Sequence, residues 1–471
     1  MASNLNILTY NAPALQAEQQ FYTPVITVQG NRIATIFAFM GRVDSWPIVN
    51  GTETPVQPTQ TTQYIKQTFN NIFAVKQLYT NNISPVIQRI DWNINSVYYP
   101  YDDTSDVLAK DANGFLLKSF YVRNRYDQVF KCLWNNNGGP STFEPIFAPG
   151  TYGTNNIFSN AGDGYKWKYI YTVDASSKKT FMDSTWMPVP VGINTPDPYN
   201  TTAGIGSIDV VNVTNGGSGY DPINTFIVAN IIGDGVGASA NVTAQQVSNG
   251  QITDIVVGNA GSNYTNANVT ITAYTSANLK FVSTVGSGVT AVAPTSPVGG
   301  HGFDPLSELG CTRAMYSVEF NSDEGGLIPT DPEYRQVGLL INPSDYTSYP
   351  AQATQAIYNT TTQFYVASGQ GVFSSGEVVQ QRNTSGVLTF AGTVVSFGSS
   401  TNVLQVINTS GSFTVGQSIT GLASGTARTI LSASLPQLIP FSGYIAYIEN
   451  RVGVQRSPDG IEQFKFVVQY A

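Results

Sequence analysis

The stretch Gly162-Asp163-Gly164-Tyr165-Lys166-Trp167-Lys168-Tyr169-Ile170-Tyr171-Thr172-Val173 decides how this chain is read. It opens on a Gly-Asp-Gly turn, where glycine supplies backbone angles that other residues reach only with strain. It then alternates with period two, the signature of a β-strand. Tyr165, Trp167, Tyr169, Tyr171 and Val173 fall on one face and Lys166, Lys168 and Thr172 on the other, with Ile170 as the exception. Aromatics in such a row need cover. The pattern is expected to be a core strand under a second layer; a ligand-stacking ladder is the alternative.

Composition narrows the function classes. Asp, Glu, Lys and Arg make up 11% of the 471 residues, against roughly 25% in typical soluble domains. Asn, Thr, Ser, Gln and Gly take their place, a surface suited to a subunit packed against others. The net charge is −8 and basic residues do not cluster. Nucleic acid is therefore not an expected partner, because duplex binding needs several phosphate contacts from Lys or Arg. No long uninterrupted apolar window is present, so no membrane partner is expected. Met1-Ala2-Ser3-Asn4 reads as carrying no secretory signal. Cys132 and Cys311 read as buried free thiols of a reducing compartment, a disulfide between them being the alternative.

Outward from the central strand, the pattern predicts a mainly β (α+β) fold with a few short helices. Pro13 and the helix formers after it predict a helix over Asn11 to Tyr22. Ile33 to Met40 predicts a buried strand stopped by Gly41-Arg42. Ile65, Phe69, Ile72 and Phe73 share one helical face, with Thr61 or Thr62 to cap it. Asn135 to Pro140 is a dense turn signal, and Phe464, Phe466, Val468 and Tyr470 share one face of a last strand.

Two internal repeats interrupt this texture. Gly217-Ser218-Gly219-Tyr220 recurs as Gly261-Ser262-Asn263-Tyr264, an offset of 44 (264 − 220), and Phe373 to Gly376 recurs as Phe413 to Gly416, an offset of 40 (413 − 373). The expected organisation is a β-sandwich-centred, discontinuous core of residues 1–202, 298–363 and 436–471. Into it are inserted two duplicated, small all-β modules, 203–297 and 364–435.

Motifs that carry chemistry are few. Gly216-Gly217-Ser218-Gly219-Tyr220-Asp221 fits the nonapeptide of calcium β-rolls, but its second copy has Asn263 and Thr265 where the second glycine and the aspartate belong, so a hairpin turn is expected. Gly233-Asp234-Gly235-Val236-Gly237 is followed by a strand pattern, without the helix N-terminus that would hold phosphate. His301, the only histidine, is flanked by glycines and is expected in a turn, with a charge that could change between about pH 5 and 8. Asp102 and Asp103, read as strand neighbours, point to opposite faces and do not form a glycosidase pair. No catalytic, cofactor-binding or metal-ligating residue is assigned, and the chain reads as a non-enzyme.

One order of motifs resembles a known family. The Gly41-Arg42 strand end with Trp46, then Arg89-Ile90-Asp91-Trp92, then Gly162 to Tyr169, then Tyr447-Ile448-Glu449-Asn450-Arg451 and a terminal strand look like the gene-product-eight baseplate wedge subunit of T-even-type contractile-tailed phages. The match covers about 1–200, 298–360 and 436–471; the two modules depart from it. The resemblance implies a structural protein of the virion tail baseplate, made in the host cytoplasm. It would form a homodimer and link other baseplate wedge proteins during assembly and contraction, with no cofactor. A carbohydrate- or receptor-binding tail protein is the alternative, and a tail depolymerase a third.

Overall fold

The computed structural model describes residues 35–148, 156–191, 206–221, 225–277, 280–322 and 324–469. The helix expected over Asn11 to Tyr22 lies outside them, as does Tyr470. The fold is mainly β, with three α-helices among the described residues: Thr62–Asn71, Ala175–Phe181 and Pro305–Glu308. The chain forms two compact units. One contains Ser84–Met315; the other contains 35–83 and Tyr316–Val467.

In the first unit the strand Tyr165–Thr172 lies inside a four-stranded sheet, between Gln128–Asn135 and Ile157–Ser159, with Tyr121–Arg123 outermost. Its turn is held by Asp163. The carboxylate accepts from the backbone N–H groups of Thr142 at 2.9 Å, Phe143 at 3.0 Å and Tyr165 at 3.1 Å. Gly164 follows at φ +70°, where a Cβ would lie 2.7 Å from the Asn136 side chain. Only glycine fits that turn.

Tyr165, Trp167 and Tyr169 share one face and pack with Tyr98, Phe130, Cys132 and Phe147. Tyr165 stacks on Trp167 at 5.4 Å, and Tyr98 meets the same indole edge-on at 5.3 Å. Tyr171 belongs to a different core, with Ile87, Phe120, Tyr121, Met187 and Leu306. The register explains the change. Phe130 pairs with Tyr169 and Val129 with Tyr171, which leaves Ile170 as an extra residue in a β-bulge. A bulge reverses the alternation beyond it, so Ile170 and Tyr171 both enter the second core.

The stretch 206–293 forms a seven-stranded sheet of its own. Its order along the sheet is Asn212–Ser218, Ser287–Val292, Ala267–Ala277, Thr225–Gly233, Val236–Val242, Val256–Ser262, with Lys280–Thr284 attached to Ala267–Ala277. The repeat offset maps the first strand to the last and the two middle strands to each other, so the sheet has a pseudo-two-fold axis. An isolated bridge joins Val211 to Ile255, again 44 apart (255 − 211). Tyr220 N–H donates to Gly250 at 3.1 Å and Tyr264 N–H to Gly206 at 3.0 Å, symmetry mates of one another. Both tyrosines are buried in a core drawn wholly from this stretch. Gly286 makes room for one of them: a Cβ there would lie 2.5 Å from the Tyr220 ring.

In the second unit a five-stranded sheet runs Ile357–Tyr358, Ile72–Leu78, Ile36–Gly41, Glu333–Ile341, Tyr444–Gln455. The expected helix is capped by the Thr61 hydroxyl, which accepts from Tyr64 N–H, but it stops at Asn71. Ile72 and Phe73 begin a strand instead. They continue the helical spacing by coincidence, and burial against Ile36–Gly41 decides the matter. Between these strands in sequence, Thr362–Val366, Val403–Gly411, Leu388–Gly398, Val378–Arg382, Ser418–Gly421 and Ala427–Ser434 close a barrel. Its first three strands in sequence map onto its last three, and its core is again drawn only from its own stretch.

Trp167 is fully buried and its indole N–H has no acceptor among the described residues, so it contributes there by packing. Trp167→Ala should lower unfolding free energy in urea by about 3–5 kcal/mol. Trp167→Phe should cost much less, since no hydrogen bond is lost.

Candidate functional site

The other face of the central strand is charged and buried. Lys131 pairs in register with Lys168, and Lys166 lies two residues along, so three ammonium groups share one side of two adjacent strands. All three side chains are at least nine-tenths buried. Burying a charge is costly unless it is paired and hydrogen-bonded, and each lysine finds partners from a distant part of the chain.

Lys168 Nζ lies 3.2 Å from Asp209 Oδ2. Ser207 Oγ donates to the other oxygen of that carboxylate at 3.0 Å. Lys166 Nζ reaches Asp254 Oδ1 at 2.7 Å and the Val211 carbonyl at 2.9 Å. Asn212 Nδ2 donates to the Leu133 carbonyl at 2.9 Å. Asn212 opens the first strand of the seven-stranded sheet, and Asp209, Val211 and Asp254 lie in the segments that lead into its strands Asn212–Ser218 and Val256–Ser262. That sheet is therefore joined to the Tyr165 sheet through ions and hydrogen bonds around the Val211–Ile255 bridge.

Lys131 faces a different group. Its Nζ lies 2.8 Å from Glu308 Oε1 and 3.7 Å from the centre of the Tyr101 ring. His301 Nδ1 lies 2.7 Å from the same Glu308 oxygen, and Gly302 N–H donates to Oε2 at 2.6 Å. A carboxylate only accepts, so Nδ1 carries the imidazole proton. Burial alone would push the Glu308 carboxyl above its ordinary value; the Lys131 ammonium and His301 overcome it and bring the carboxyl down to about 2. Burial, and then Lys131, push His301 below its ordinary value. His301 is in a turn as expected, but it is 2% exposed and bound to two charged groups, Glu308 and Lys131. The glycines around it announce the turn and say nothing of Glu308.

These groups have acid–base character without access. The side chains of Lys131, His301 and Glu308 are 3% exposed or less, and the Tyr101 ring covers the ammonium. The arrangement locks elements together; it offers a substrate no approach. Among the described residues no cluster of three or more His, Cys, Asp or Glu is placed to hold a metal. Cys132 and Cys311 are buried and free. Asp234, in the turn between Thr225–Gly233 and Val236–Val242, accepts from the Thr265 and Asn266 N–H groups of a neighbouring loop. Asp102 and Asp103 are not strand neighbours. They sit in a loop and turn, and both line one groove, so the argument from opposite faces does not hold.

One apolar surface stands out in the second unit. Tyr444–Gln455 is an edge strand of twelve residues with Tyr444, Tyr447, Val452 and Val454 exposed. Part of its outer edge is occupied: Trp46 Nε1 donates to the Arg451 carbonyl at 2.8 Å, and Gly453 N–H to Glu53 at 3.4 Å. No hydrogen bond of this kind reaches Tyr444 to Glu449 among the described residues, where the Phe466 ring meets Tyr447 edge-on at 5.7 Å. No helix of the described residues is long and apolar enough to cross a membrane. Compared with known proteins, the chain matches no family model and no curated sequence.

His301 and Glu308 both have folded-state values below their unfolded ones, so the unfolded chain binds more protons in between and stability falls with falling pH. The His301 share is lost below about pH 6.5 and the Glu308 share from about pH 4.5 toward 2. Urea midpoints measured from about pH 7 to 5 should decline less in His301→Gln than in the parent protein. An unchanged slope would show that His301 does not titrate with folding.

Proposed function

We propose that this chain is a structural subunit of a contractile-tail baseplate wedge in the virion, forming a homodimer and linking neighbouring wedge subunits. One observation carries the reading: the residues behind the family resemblance are the contacts that hold the fold. Asp91 is clamped by Arg89 at 2.7 Å and Arg123 at 2.7 Å. Asp163 anchors the turn before the central strand. Trp46 ties the first motif to Arg451 of the last, within one unit. A motif set that holds the architecture suits a part whose work is to keep its shape while its contacts change.

The run Tyr444 to Glu449 at the edge, unpaired among the described residues, supports a protein partner. An exposed strand edge with apolar side chains is a template for pairing with another chain, and the low charge of the whole sequence fits a surface that spends its time covered. The buried positions of the only histidine and both cysteines agree with a role that involves no turnover.

Antibody against the chain, imaged by electron microscopy on purified particles, should decorate the baseplate. Decoration of distal fibres, or none on intact and disrupted particles alike, would overturn the assignment.

A further inference from the structure

The edge strand Tyr444–Gln455 is bounded differently at its two ends. At its start Gly443, at φ +73°, turns the chain in from the segment Leu438 to Ser442. Its far part is covered by residues 46–56 of the same unit: Trp46 Nε1 donates to the Arg451 carbonyl, Gly453 N–H to Glu53, and Asn450 Nδ2 to the Val56 carbonyl at 2.6 Å. Between these bounds lies the run Tyr444 to Glu449, whose outer edge is open among the described residues.

Each end of the run carries half of a contact. The covering segment contains a hairpin, Ile48–Val49 with Thr52–Glu53, closed by Asn50 at φ +51° and Gly51 at φ +78°. Its tip presents Ile48, 66% exposed, and Val49, 50% exposed. At the Tyr444 end opens an apolar pocket of about 360 Å³, walled by Phe69, Leu340, Leu438, Ile439, Pro440 and Phe441. Phe441 stands at φ +62°, a region that a bulky side chain rarely adopts. Its ring is 47% exposed and meets Phe69 edge-on at 5.9 Å. A turn alone is met more easily by glycine or asparagine. A phenylalanine there accepts backbone strain to put an apolar ring at the pocket mouth, and such strain gathers at clamps for a bound partner.

Two copies of an open strand edge can pair antiparallel about a two-fold axis. Pairing the open run with itself sets 444 against 449, 445 against 448 and 446 against 447. A bulge at Ala446 falls at the centre, so both copies bend at the axis. Continued outward, the same register sets 451 against 442 and 453 against 440. The hairpin of each copy therefore arrives at Pro440 to Ser442 of the other, which line the pocket. The one charge in the run, Glu449, faces Tyr444 and not its own mate. A six-residue strand pair is a small contact beside the ~1,000 Å² that a specific interface needs. An unrelated strand would add nothing more, whereas a second copy brings an apolar tip to both pockets at once.

We infer that the partner of this edge is a second copy of this chain: the two Tyr444 to Glu449 runs join antiparallel, and each Ile48–Val49 tip seats in the other's Phe441 pocket. This rests on the homodimer of the baseplate reading and gives it a surface.

Sedimentation of the full-length protein at micromolar concentration should find a dimer. Ile48→Asp, at the exposed tip, should raise the dimer Kd about tenfold or more and leave the circular-dichroism spectrum unchanged. Tyr444→Cys combined with Glu449→Cys should give a covalent dimer under mild oxidation. Within one strand these positions are five steps of ~3.3 Å apart, beyond the ~4.4–6.8 Å between Cα atoms that a disulfide spans, so any bridge joins two copies. Neither single variant should cross-link, and the native Cys132 and Cys311 are buried. A monomer at that concentration, or a dimer that Ile48→Asp leaves unchanged and the cysteine pair does not bridge, would overturn the inference. Baseplates decorated by antibody while no bridge forms would overturn this interface and keep the wedge assignment; bridged dimers of a chain found away from the baseplate would do the reverse.

Discussion

Three lysines on the buried face of one β-sheet set the terms for the rest of the first unit. A strand with aromatics on one side and Lys166 and Lys168 on the other, beside Lys131, cannot be sandwiched between two apolar layers. Its second face needs carboxylates, and the chain supplies them from far away: Asp209 and Asp254 from one stretch, Glu308 from another. Burying such pairs adds little net stability, because desolvation offsets most of the attraction. What it gives is geometry. Each ammonium accepts only a partner that arrives with an acceptor in place, which fixes how the seven-stranded sheet sits on the Tyr165 sheet.

The seven-stranded sheet and the barrel are each self-contained. Their apolar cores include only their own residues, and each is built from two copies of one pattern related by a pseudo-two-fold axis, three strands and three in the barrel, three and four in the sheet. In the first, the symmetry reaches single hydrogen bonds, those of Tyr220 and Tyr264. The departures from symmetry then become informative. Lys166 and Lys168 meet Asp209 and Asp254, whose mates are Thr253 and Val210, so the ionic contact uses positions the repeat itself does not require.

Much of this was legible in the sequence for a plain reason: period, glycine and repetition are local. The aromatic strand, its turn, the Thr61 cap and both repeat offsets can be read from neighbouring residues. The exception at Ile170 was visible too, but its cause was not. A bulge depends on register with Phe130 and Val129, which no window around Ile170 contains. The helix that seemed to run through Ile72 and Phe73 failed because apolar spacing cannot tell a helix end from the start of a buried strand. The charged layer and the groove were hidden further. Lys131 meets Glu308 across 177 residues and Asp103 meets Thr295 across 192. Only the recurrence of lysine within aromatic strands, Phe130-Lys131 and Trp167-Lys168, hinted that the second face was special.

The central claim is that the stretch 203–297 is a part with its own core, held to the parent sheet by ion pairs and hydrogen bonds. The direct measurement is thermal and urea unfolding of the chain with that stretch replaced by a short linker. Uncovered, Lys166 and Lys168 would meet water, where an ammonium is at home, and Lys131 would keep Glu308 and His301. The account predicts a soluble protein with a single cooperative transition by both probes. An aggregated product, or one that unfolds without cooperativity, would contradict it.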